Sequence, residues 1–152
     1  MEANTHVWHT VLHGAYDGSG FGRGLGGGKT GISDTDYGPG KRVVDTSQPF
    51  RTEARFHTDS AGRFASLEVT LKQNSRALSF SVSHPSYIAP MTQALEAGMT
   101  LVASYWSSEW MGWLSGGICA TENQHACGDR VTYSEFTLCE GAGTAPCNFH
   151  AP

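Results

Sequence analysis

The chain has 152 residues, with 39% hydrophobic residues, a formal net charge of −4 and a sequence pI of about 5.9. That size and apolar content suit one domain with a core of its own. The acidic balance offers none of the basic footprint of a nucleic-acid binder, and no apolar run approaches the length of a membrane span.

The chain opens MEANTHVWH, without the basic and apolar regions of a signal peptide. Residues 5–13, THVWHTVLH, carry the β-branched and aromatic content of a strand. On that strand Glu2 would share parity with Asn4, His6 and Trp8, and a carboxyl beside an amide and an indole is suited to proton donation. His6, His9 and His13 invite a metal reading. On a strand, however, His9 and His13 lie roughly 13 Å apart, too far to share one ion, so no metal is expected. Glycines dominate from Gly14 to Gly40 and predict a long surface loop closed by the turn Tyr37-Gly38-Pro39-Gly40. Within it, Arg23 to Thr30 ends like a phosphate-binding loop, but Arg23 stands where the motif needs its first glycine, and no nucleotide is expected.

Strand patterns follow. Val43-Val44 begins one. Residues 50–58 alternate Phe50, Thr52, Ala54 and Phe56 against Arg51, Glu53, Arg55 and His57. Residues 66–72 set Leu67, Val69 and Leu71 against Glu68, Thr70 and Lys72, and residues 77–83 set Leu78, Phe80 and Val82 against serines. All three predict half-buried antiparallel strands. One short helix is predicted over 91–97, after Pro90 and before Gly98. Residues 100–106 alternate again and run into Trp106, Trp110 and Trp113, whose indoles suit either the apolar faces of sugar rings or a tryptophan-rich core corner. The last strand is predicted over 131–138, followed by an irregular tail, residues 139–152. Together these patterns predict an all-β sandwich. Cys119, Cys127, Cys139 and Cys147 allow three pairings, and their number with no C-x-x-C points to an oxidising, secreted setting.

Four stretches, in order, resemble the C-terminal part of family 7 glycoside hydrolases, the cellobiohydrolases and β-1,4-endoglucanases. Glu2-Ala3-Asn4 resembles the end of the signature E-x-D-x-W-E-A-N. Tyr37 to Gly40 with Val44-Asp45-Thr46 and Pro49-Phe50 resembles YGPG…VDT…PF. Met91 to Leu95, Gly98-Met99 and Leu101-Val102 to Trp106 resemble M-x-x-A-L-x-x-G-M-V-L-V-x-S-x-W, and Val131 to Ser134 resembles the final V-T-Y-S. The resemblance covers residues 1–138 and implies part of a concanavalin-like jelly roll. It implies retaining hydrolysis of β-1,4-glucan, with no cofactor, in a secreted enzyme. By the same resemblance Glu2 is the general acid/base, His13 stands near the catalytic centre, Trp106 and Trp113 bind substrate near the product side of the groove with Trp106 as the sugar platform, and Lys29 contacts substrate.

The chain departs from the family too. Its residues do not include the E-x-D-x-W part that carries the nucleophile, Met1 stands at that motif's Trp, and Ser107 and Ser108 replace two frequent acidic residues. Most of the family's cysteines are absent as well. A truncated form, inactive alone and lacking an N-terminal half, is therefore expected. The alternative is a non-catalytic β-glucan-binding sandwich using Trp106, Trp110 and Trp113; a purely structural sandwich is the third reading.

Overall fold

The computed structural model describes residues 1–14, 17, 18, 20–25, 35–105 and 132–137. These residues form a mostly β protein with three small sheets and one short helical stretch. The first sheet pairs β1 (Glu2–Ala3), β2 (Trp8–Leu12) and β3 (Phe21–Leu25), all antiparallel. β4 (Tyr37–Gly38) and β5 (Val44–Asp45) form a two-residue parallel pair. The third sheet is an antiparallel meander of β6 (Arg51–Thr58), β7 (Phe64–Gln73) and β8 (Arg76–Val82).

β7 lies at the centre of this meander, which explains why its burial exceeds the half-buried expectation. Leu67, Val69 and Leu71 form a fully buried apolar row, and Thr70 on the opposite face is buried as well, its hydroxyl 2.8 Å from that of Ser79. β8 adds Phe80 and Val82 to the apolar face, as its alternation predicts. β6 differs: it is an edge strand, and every residue except half-buried Glu53 is exposed. Phe56, on its apolar row, is 58% exposed, with its ring tilted against that of Phe64, centroids 5.8 Å apart. Alternation marks which residues share a face; it does not say that anything covers that face.

Helix begins earlier than expected. Pro85–Ile88 form α1, a 3-10 turn spans Ala89–Met91, and α2 follows over Thr92–Glu96. Pro85 sits in the first turn of α1, where a missing N–H costs nothing. Ile88 is buried among the core side chains, and Gly98, at φ 89°, turns the chain away after α2.

Two predicted strands are absent over their described parts. Residues 100–105 and 132–137 belong to no ladder, and all are exposed except half-buried Thr137. Residues 100–105 alternate as expected, but a strand exists only where a neighbouring strand pairs in register with its backbone N–H and C=O groups, and no such ladder includes either stretch. The opposite error falls on residues 14–40. This expected loop contains β3, whose glycines have low strand propensity yet pair fully with β2.

The polar face of the meander carries an ion cluster. Glu53 accepts from Lys72 Nζ at 2.8 and 2.9 Å, with Arg51 and Arg55 each 3.5 Å away. The Lys72 hydrogen bond, aided by the three nearby cations and opposed by partial burial, holds the Glu53 carboxyl below its ordinary value of 4.5. Because the folded state lowers this pKa, its contribution is present above about pH 4.5 and is lost as pH falls through the folded value. Melting temperature is therefore expected to drop on acidification below that pH. Lys72→Met should flatten this acid limb while costing less than about 1 kcal/mol at neutral pH, as exposed ion pairs do.

Candidate active site

The N-terminal hairpin is set by one turn. Asn4 Oδ1 accepts the backbone N–H groups of His6 and Val7, both at 2.8 Å, and the Asn4 N–H donates to the Val7 carbonyl at 2.9 Å. This side-chain-capped turn reverses the chain and pairs Glu2 with His9 and Ala3 with Trp8. The expected single strand over 5–13 therefore begins only at Trp8. Glu2 does not share a face with Trp8 as continuous parity implied: opposed residues share a face, so Glu2 lies with His9, and Trp8 lies on the other side.

Trp8 turns inward. It is buried against Tyr37 and Phe50, with ring centroids 6.4 and 6.3 Å away, and its indole N–H donates to Thr10 Oγ1 at 3.0 Å. Tyr37 in turn donates its hydroxyl to the Asn4 carbonyl at 2.9 Å, and Thr46 donates to the Thr5 carbonyl at 2.6 Å. Burial pushes the Tyr37 phenol up, out of its ordinary range. Two segments quoted in the family resemblance, Tyr37–Gly38 and Val44–Thr46, thus hold the Glu2 hairpin in place.

The outward face carries half-buried Glu2, His9 and Val11 in the β1–β2 pair. Across from them on β3 stand Gly24, opposite His9, and Gly22, opposite Val11. A Cβ on Gly22 would strike the backbone of Thr10 and come within 2.8 Å of Val11 Cα, so only glycine permits this approach. The product is a carboxyl and an imidazole about 5 Å apart at their Cβ atoms, beside a strand floor without side chains at two positions. Such a floor lets a flat ring lie close to the backbone. Glu2 is the only carboxylate in these three strands.

His13 is not brought to Glu2. It follows β2, four residues beyond the partner of Glu2 and roughly 13 Å along the strand direction. It is exposed, and its Nδ1 donates to the Asp17 carbonyl at 2.9 Å, which places the ring proton on that nitrogen. The same loop is fixed by Tyr87, whose hydroxyl donates to Asp17 Oδ2 at 2.6 Å and accepts the Gly14 N–H at 2.8 Å. His9, which sequence reasoning weighed only as a metal ligand, is the imidazole beside Glu2. Asn4 was the available signal, since an Asn that caps a turn shifts every later residue to the opposite strand.

Lys29, Trp106, Trp110 and Trp113 lie outside the described residues, as do all four cysteines. Among the described residues, no three His, Cys, Asp or Glu side chains stand together as a metal-binding group. Comparison with protein-family models, with curated proteins and with solved structures found no match to this chain.

Proposed function

We propose that this chain carries the acid/base half of a retaining β-1,4-glucan hydrolase site, on part of a family 7, jelly-roll-like scaffold that acts outside the cell. Glu2 is the proton donor, and a glucose ring lies over the floor formed by Gly22 and Gly24, beside His9. The observation that carries this reading is the pairing of Glu2 with His9, whose neighbour on the other side is Gly24 of the bare floor. A carboxyl held beside the bound ring is what protonation of a glycosidic oxygen requires. The resemblance adds Trp106 as a platform for a further sugar unit, with Trp113 and Lys29 as substrate contacts.

Retaining hydrolysis uses two carboxyls about 5–5.5 Å apart, one attacking the anomeric carbon while the other protonates the leaving oxygen. The strands around Glu2 supply one. Hydrolysis by the 152 residues alone is accordingly expected to be undetectable. Azide can stand in for the attacking carboxyl. It attacks the anomeric carbon, the glycosidic C–O bond breaks, and the leaving oxygen takes the proton from Glu2, yielding the α-glycosyl azide from a β-glycoside.

The test is to incubate the chain with phenyl β-cellobioside and sodium azide and to follow α-cellobiosyl azide. Product is expected with the native chain, and Glu2→Gln should reduce its rate by about 10²–10⁴-fold, the usual contribution of a positioned acid. Bound cello-oligosaccharide without any azide product would overturn the proposal. So would a sugar-induced fluorescence change abolished by Trp106→Ala and untouched by Glu2→Gln, which would assign a binding module instead.

A further inference from the structure

Five of the chain's ten lysines and arginines gather at one end of the β6–β7–β8 meander, although the protein as a whole is acidic. Arg51 opens β6 and pairs in register with Lys72 near the end of β7. Arg76 opens β8 opposite Gln73, after a two-residue turn in which Asn74 takes φ 55°. Lys41 and Arg42 come from the β4–β5 connection and border the same place.

Between that connection and the β7–β8 turn lies a groove of about 430 Å³, walled by Lys41, Arg42, Asp45, Gln73, Asn74 and Arg76. Its floor is fixed by the Gln73 carboxamide. Oε1 accepts the Asp45 N–H at 2.8 Å, while Nε2 donates to the Asp45 carbonyl at 2.9 Å and to the Pro49 carbonyl at 3.2 Å. The groove's own carboxylate is already engaged: Asp45 Oδ1 accepts from the Gly40 N–H, the Ser47 N–H and the Ser47 hydroxyl. Those hydrogen bonds, led by the Ser47 hydroxyl, hold its pKa below the ordinary value.

The cations are less fully matched. Arg42 reaches Asp36 at 3.0 Å, and Arg76 donates to the Arg42 carbonyl. Among the described residues neither Lys41 nor Arg76 has a carboxylate partner. A preformed polar groove with surplus positive charge is complementary to a small anion, and guanidinium groups hold oxyanions through paired N–H donors. The volume falls in the lower range of small-molecule sites, room for one ring-sized molecule.

We propose that this groove binds a compact oxyanion, carboxylate or phosphate, carried on a sugar-sized polar molecule. Lys41, Arg42 and Arg76 face the anion, and the carboxamide of Asn74 is available to hydroxyl groups. The inference is independent of the role given to Glu2, which does not line the groove.

The test titrates the 152-residue chain with glucuronate, glucose 6-phosphate and glucose, following side-chain and backbone signals of Gln73, Asn74 and Arg76 by NMR. At least one of the two charged sugars is expected to saturate these signals while glucose does not, and the tighter of the two identifies the preferred anion. Lys41→Glu should weaken that binding by about tenfold or more. Arg42→Gln, also on an exposed side chain, should act in the same direction and guards against a folding failure of the first variant. Saturation by glucose at equal affinity, no saturation by either charged sugar up to about 50 mM, or unchanged affinity in both folded variants would overturn the proposal.

Discussion

Trp8→Ala is expected to destabilise the protein by about 3–5 kcal/mol, the range for removing a buried large aromatic ring. The indole is 7% exposed and joins two sheets, resting against Tyr37 of β4 and against Phe50, which directly precedes β6. Its removal also leaves the buried Thr10 hydroxyl without the indole N–H at 3.0 Å. A domain of this size is typically stable by only about 5–15 kcal/mol, so the variant should unfold at much lower urea concentration or fail to fold. Trp8→Phe keeps most of the ring contact and loses the hydrogen bond, and its cost should be the smaller. Equal midpoints for Trp8→Ala and the native chain would mean that the sheets are not joined through this residue.

Gly22→Ala should have the second large effect, because it acts on the candidate site itself. The added Cβ meets backbone atoms of Thr10 and Val11, which cannot rotate away as a flexible side chain would. Overpacking of this kind costs about 1–3 kcal/mol, and the strain falls on the β2–β3 ladder. Amide exchange at the β2–β3 pairs should accelerate, and the glucan response of the Glu2–His9 face should disappear. Gly62→Ala is the matching control. That glycine has φ 76° with open space around it, so alanine strains only its own backbone, by about 1–2 kcal/mol, and the site is untouched. If both variants keep β2 protected and the glucan response intact, the close approach of β3 is not what shapes the site.

Much of the meander was legible in the sequence because β7 and β8 obey the two-residue alternation and find real partners. Leu67, Val69 and Leu71 face the core as their spacing implies. The failures share a cause: alternation specifies a face and leaves the neighbour unspecified. Residues 100–105 have the pattern without a ladder, and β6 has a ladder on one side while Phe56 on its apolar row stays exposed. β3 is the reverse case, since its glycines argue against a strand, and only the tight packing on β2 makes them necessary. At the candidate site, Glu2 was identified by its resemblance to the E-A-N motif and lies in a strand beside an imidazole. The identity of that imidazole was missed, because the Asn4 turn moves the pairing from the expected parity to His9.

The central claim, that the Glu2–His9 face receives a β-1,4-glucan, is tested most directly by titrating the chain with cellotetraose and recording histidine ring and glycine amide NMR signals. The expected result is saturable shifts of the His9 ring and of the Gly22 and Gly24 amides, with His6, in the exposed turn, unmoved, and weaker binding in Glu2→Gln. Shifts confined to tryptophan indole N–H signals, with His9 and both glycines unchanged, would contradict it.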